Sequence, residues 1–224
     1  MQTDDAVAYC KNTIKSLRKA QERFDALMEE HPDGTMPKAA IDSWLVYFME
    51  LFPSVAFKFG WRLAAKYHHG GIGGELKLFV KGPLGLASRN VCGHVRLTGD
   101  SDEAALDLAL FNYARTQIGL FWHALYERRE FITDIKEFAE NYRFHFVRWA
   151  TITRRIKDMD AFLRYDFSPR VRQEGNGQRV VEYSTFSPFA GFERNVVRID
   201  GKAPVGNPGD EVDVVFPYSC GLHF

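Results

Sequence analysis

Helix-breaking residues are unevenly spread along this chain. Between Ser101 and Phe167 there is no proline and only one glycine, Gly119. Nothing local stops that tract from running as helix. After Ser168-Pro169 the reverse holds. Glu174-Gly175-Asn176-Gly177, Asp200-Gly201 and Asn207-Pro208-Gly209-Asp210 cut the remainder into short, β-like pieces such as Val180–Tyr183, Val196–Ile199 and Val212–Phe216. The contrast predicts an α+β chain. Its N-terminal part is mainly helical with an inserted β-hairpin, and a small antiparallel β part follows. The expected organisation is a helical domain over residues 1–165, with the hairpin at 75–98, and a β-rich subdomain over 166–224.

The N-terminal half supplies the detail. Val7, Cys10, Ile14, Leu17, Phe24 and Met28 form one stripe with Gln21 as its polar gap, so a helix is expected from about Asp5 to Glu30. His31-Pro32-Asp33-Gly34 stops it. Thr35 is the expected cap of a second helix carrying Ile41, Trp44, Leu45, Phe48 and Leu51, and Pro53-Ser54 starts a third that reaches about Tyr67. His68-His69-Gly70-Gly71-Ile72-Gly73-Gly74 reads as a connector. Leu76, Leu78 and Val80, then Val91, Val95 and Leu97, give the period-two hairpin. Within the long tract, Leu106, Leu110 and Tyr113 mark one face, continued by Leu120 and Ala124. Phe138, Tyr142, His145, Trp149, Ile152, Ile156, Met159 and Leu163 mark a second, and two antiparallel helices joined near Arg128–Asp134 are expected. Residues 144–153 are also rich in aromatic and β-branched side chains, which suits a strand, but the stripe on both sides favours helix.

A chain of 224 residues, 46% apolar and 26% charged, can bury a core without staples. Basic and acidic side chains number 29 each, so the whole protein has no net field to draw in nucleic acid or anionic lipid. Residues 128–198 are locally basic, with 14 basic and 10 acidic residues, and 199–224 are acidic, with one and four. The cysteines Cys10, Cys92 and Cys220 are few and far apart, and the opening Met-Gln-Thr-Asp-Asp begins no apolar leader. A reducing, cytoplasmic setting is therefore expected. Trp44–Ala65 is interrupted by Glu50, Pro53, Lys58, Gly60 and Arg62, so no membrane contact is expected.

Two clusters point to binding. Trp44, Tyr47, Phe48, Phe52, Phe57, Phe59, Trp61 and Tyr67 crowd one segment, and Phe57, Phe59 and Trp61 span too much of a helix to share one face. Part of this set suits a core, and Trp44, Phe57 and Trp61 are candidates for a partner surface. Arg143, Arg148, Arg154, Arg155, Lys157, Arg164, Arg170 and Arg172 are interleaved with Phe144, Phe146 and Trp149. That arrangement suits phosphates and stacked bases, or a solvated face balanced by Asp158 and Asp160.

Catalytic signals are weaker. Glu75-Leu76-Lys77, with Pro32-Asp33 upstream, is similar to the carboxylate-and-lysine core of a large metal-dependent nuclease superfamily. Alternating Glu and Lys on the wet face of a strand needs no function at all and is the better explanation. His123 with Glu127, His68-His69, Cys92 with His94, and Cys220 with His223 are short pairs without the second pair a zinc site shows. No cofactor or metal site is expected. The expected function is non-catalytic binding of another protein, or of a second copy, through Arg and aromatic residues: Arg143, Arg148, Trp149, Arg154, Arg155, Trp44, Phe57 and Trp61. Nucleic-acid binding is one alternative. A metal-dependent nuclease using Glu75 and Lys77, or another hydrolase, is the other.

Overall fold

The computed structural model describes residues 3–31, 35–70, 73–122, 128–142, 149–206 and 211–218. The fold is α+β, with its longer helices before residue 118 and every strand pairing antiparallel. Helix α1 (Thr3–Glu30) carries acids in its first turn, where the helix dipole favours them, and buries Ala6, Cys10, Leu17, Ala20, Phe24 and Met28. Helix α2 (Lys38–Glu50) packs Ile41, Trp44, Leu45 and Phe48 against it. Its first residue follows Pro37 directly, with no side-chain cap, so Thr35 does not play the capping part expected of it.

The expected third helix is instead extended chain: β1 (Val55–Phe57) and β2 (Arg62–Gly70). The reason is periodicity. Leu63, Ala65 and Tyr67 face inward while Arg62, Lys66 and His68 face water, which is the two-residue period of a strand. Strand β2 pairs along its whole length with β3 (Gly73–Lys81), Gly70 opposite Gly73, so the glycine run is the tip of a hairpin. This hairpin replaces the one expected at 75–98. Of the expected second arm, β4 (Ala87–Ser88) pairs only with the end of β3, and β5 (Val95–Leu97) pairs with β1.

Helix α3 (Asp102–Gln117) is capped by Ser101 and buries Ala104 through Asn112 without interruption. Its carboxylate Asp107 is fully buried. It accepts the Tyr9 hydroxyl at 2.5 Å and the Ser54 amide at 2.9 Å, which ties α1 and the start of β1 to α3. The expected antiparallel helix pair does not form. After α3 come β6 (Phe121–Trp122), β7 (Glu130–Ile132) and three short helices, α4 (Ile135–Asn141), α5 (Trp149–Thr153) and α6 (Met159–Arg164). Asp134 and Asp158 are the physical cause. Each uses its side chain to cap a new helix, starting one inside a tract that holds no proline. Of residues 144–153, those described are helical (α5).

The C-terminal sheet runs β11-β10-β9-β7, with β12 also on β10 and β8 also on β9. Besides β7, its strands are β8 (Arg170–Gln173), β9 (Arg179–Ser187), β10 (Gly191–Asp200), β11 (Ala203–Pro204) and β12 (Glu211–Pro217). One face puts Val181, Tyr183, Val197 and Ile199 into the core beneath α3. The other is divided. One end joins an aromatic cluster in which Phe192, fully buried, meets Phe186 at 4.7 Å and Phe162 at 5.0 Å between ring centres. The other end is a lattice of ion pairs. Buried Glu182 accepts from Arg170 (2.6 Å), Arg194 (2.6 Å) and Arg172 (3.0 Å), while Glu174 joins Arg172 to Arg198. Burial alone would raise the Glu182 carboxyl. The three guanidinium bonds outweigh it and hold the group at about 2, below its ordinary 4.5.

Two outcomes test this packing. Phe192→Ala should cost about 4 kcal/mol in urea unfolding, because it empties a filled aromatic site, whereas Leu163→Ala, at an exposed position, should cost less than about 0.5 kcal/mol. Glu182→Gln should cost about 2 kcal/mol near neutral pH, a figure reduced for the water around the guanidinia. Because the folded carboxyl titrates below its unfolded value, that contribution is present above about pH 4.5 and fades towards pH 2. The difference between the two proteins should close over that interval, which urea titrations at stepped pH would show.

Candidate binding cleft

Strand β3 has two edges of unequal fate. One is filled by β2 from end to end. The other is filled only at its extremities, by β4 opposite Val80 and Lys81 and by β6 opposite Gly73 and Gly74. Between them, the Leu76 amide donates to the Gly119 carbonyl at 3.2 Å. Backbone groups alternate in direction along an antiparallel strand. The amide and carbonyl of Leu78 therefore point the same way as the Leu76 amide, into the gap, and among the described residues no strand pairs with them there.

The turn at Gly119 fixes one wall of the gap. Gly119 lies at φ +72°, and a Cβ there would sit 2.5 Å from Cβ of Leu76, so only glycine fits. Its amide donates to Oε1 of Gln21 at 2.9 Å. The polar gap in the α1 stripe is thus the residue that holds the turn after α3 against β3.

The gap opens into a cleft of about 650 Å³, a size that accepts a short peptide or a small molecule. Leu76, Leu78, Phe79, Ile118 and Leu120 give it an apolar floor. Its charged rim comes from Lys66, Lys77, Arg89 and Arg115, with His68 beside them, and no carboxylate lines it among the described residues. Arg115 is steadied by Nε donation to Asn112 at 2.9 Å. A second, smaller cleft of about 290 Å³ is lined by both Arg18 and Arg128 and both Glu130 and Glu137, so it offers no comparable field.

The residues expected to bind are distributed otherwise. Trp44 is buried, its indole N–H donating to the Ala20 carbonyl at 3.0 Å, and it belongs to the core. Phe57 is half-buried against Phe111, and Trp61 stacks on His94 at 3.7 Å. These three form no common surface. Trp149 packs among Phe138, Phe162 and Phe192. Arg154 and Arg155 are exposed, and Arg155 lies over the Tyr218 ring, whereas Arg143 and Arg148 fall outside the described residues. Arg170 and Arg172 are engaged by Glu182. Lys77 is in the cleft wall. Glu75 shares its strand and stands opposite His68 in register, and Asp33 lies outside the described residues. Cys92 is buried against Asn112 while its expected companion His94 faces Trp61. His123, Glu127, Cys220 and His223 lie outside the described residues. Among the described residues no three His, Cys, Asp or Glu side chains gather as a metal site.

The sequence alone does not single out Lys66, Arg89 or Arg115, and His68 stands out there only as half of a metal-type pair. A signal for them exists in the charge of a shorter window. Residues 51–98 contain Lys58, Arg62, Lys66, Lys77, Lys81, Arg89 and Arg96 against the single acid Glu75. Residues 1–50 and 99–127 are acidic and hide that excess in the total. Among the described residues no helix is long and apolar enough to cross a membrane. No protein-family model matches this chain, and no curated protein or solved structure is detectably similar to it.

Proposed function

We propose that this protein binds another protein, taking a short acidic segment of it as an added strand against β3. The observation that carries the reading is the open stretch of β3 at the floor of a cationic cleft, with the Leu78 amide and carbonyl turned towards the space. An extended peptide laid there gains main-chain hydrogen bonds, and alternate side chains reach the apolar floor. From Leu76 to Val80 the strand advances about 13 Å, room for roughly four residues of ligand. Lys66, Arg89 and Arg115 would meet carboxylates on the bound segment, raising the association rate and setting its charge preference. This keeps the expected macromolecular contact and relocates it from the Arg-aromatic stretch to the cleft.

The test uses a blocked, fluorescein-labelled hexapeptide of alternating aspartate and valine. It should bind with micromolar affinity that weakens as salt is raised, and Lys66→Glu with Arg89→Glu should weaken it at least about tenfold. In hydrogen exchange, the Leu78 amide should exchange readily in the free protein and become protected by the peptide. Failure of the peptide to bind, or binding that leaves Leu78 unprotected, overturns the proposal. Equal competition by an oligothymidylate would transfer the cleft to nucleic acid.

A further inference from the structure

A second surface lies at the end of the same sheet, where the loops 58–61 and 82–86 meet. Phe59 and Leu84 are completely exposed, at 100% and 102%, and Leu86 is 59% exposed. Full exposure means that no neighbouring side chain shelters them, so they stand out from the surface. Such residues are costly in water unless something covers them.

The loops are built to hold these side chains outward. Leu84 is the only described non-glycine residue with positive φ, at +57°, and it sits between Pro83 and Gly85, itself at +79°. A backbone state that leucine disfavours is maintained by its surroundings. Those surroundings are tight. A Cβ on Gly60 would come 2.9 Å from Pro83, and one on Gly82 would come 2.8 Å from the Trp61 ring. Trp61 is in turn stacked on His94 at 3.7 Å, and Lys58 donates to the Gly93 carbonyl at 2.8 Å. The two loops are therefore one preorganised tip.

The collar of the tip is cationic. Lys58 precedes Phe59, and Arg62 stands opposite Lys81 in register. Asp42 on α2, an acid close to Arg62 and Lys81, is already paired with Lys38. Protruding apolar side chains inside a ring of lysine and arginine match the boundary of an anionic bilayer. The apolar groups enter the acyl region while the cations remain among the headgroups. A protein partner would need a broad complementary patch, and side chains bare on all sides do not make one.

We infer that this tip docks the protein on an anionic lipid surface, with Phe59 and Leu84 inserted and Lys58, Arg62 and Lys81 at the headgroups. This goes beyond the peptide cleft and stands against the expectation, drawn from the neutral total charge, that no field draws in anionic lipid.

The experiment is co-sedimentation with sucrose-loaded vesicles, of phosphatidylcholine alone or with one third phosphatidylserine. The protein should sediment with the anionic vesicles and not with the neutral ones. Phe59→Ser combined with Leu84→Asn should reduce the partition at least about tenfold. Lys58→Glu combined with Arg62→Glu should do the same. Asparagine tolerates the left-handed backbone and both apolar positions are exposed, so thermal unfolding of the first variant should be unchanged. No sedimentation of the natural protein, equal binding to neutral vesicles, or binding indifferent to the apolar variant each overturns the inference. So does light scattering that shows a dimer converted by that variant to a monomer, which would make the tip a contact between copies.

Discussion

Helix α3 buries Ala104 to Asn112 in one unbroken run, so every layer of the molecule takes its position from that helix. Alanines at 104, 105, 109 and 114 leave room for α1 on one side and the C-terminal sheet on another. A helix with so little solvent face has no amphipathic register of its own to fix its rotation, and Asp107 supplies one. Burial raises its carboxyl pKa, against the bonds from Tyr9 and Ser54 that favour the charged form. Those bonds can be made in one orientation only. At the other end of the helix, the Gly119 turn is held by Gln21 and receives the Leu76 amide. The cleft is thus a consequence of where α3 stops.

The C-terminal sheet shows why an arginine-rich segment need not be a binding surface. Arg170, Arg172, Arg194 and Arg198 share one sheet face, and each bonds to Glu182, Glu174 or Glu211. Bidentate forks already filled by carboxylates are poorly available to phosphates, and displacing them would leave Glu182 buried and uncompensated. The lattice also replaces a hydrophobic cover. It closes the half of the face that the aromatic cluster around Phe192 does not reach.

Much of this was legible in the residues. The α1 stripe, the turns at 174–177 and 200–201 and the strand ending near Phe216 stand where periodicity and turn chemistry put them. The failures have definite causes. Phe57, Phe59, Trp61, Leu63, Ala65 and Tyr67 are all odd-numbered, a period of two that helical spacing through α2 obscured. Asp134 and Asp158 start helices by capping, a local signal that a count of proline and glycine misses. The cleft was less accessible. It depends on β4 and β6 being only two residues long, so that β3 remains open between them, and on contacts reaching from α1 to Gly119. Pairings of that range are written in no single segment. Only its charge was readable, in residues 51–98 taken alone.

Charge segregation gives the two proposed surfaces a common origin. Residues 1–50 hold six basic and nine acidic side chains, and 99–127 hold one and five, while 51–98 hold seven and one. Zero net charge therefore describes a molecule with a cationic sheet and acidic flanks. Such a molecule turns its β2–β3 end towards any anionic target before contact, and the effect weakens as salt shortens the screening length below roughly 10 Å. Salt dependence alone would not tell the cleft from the tip, because both draw on the same field. The separation lies in the neutral contacts. The cleft adds main-chain hydrogen bonds at Leu78, and the tip adds the transfer of Phe59 and Leu84 out of water. A ligand of the first kind leaves those two side chains exposed, and one of the second kind leaves the edge of β3 open, so both can be occupied at once.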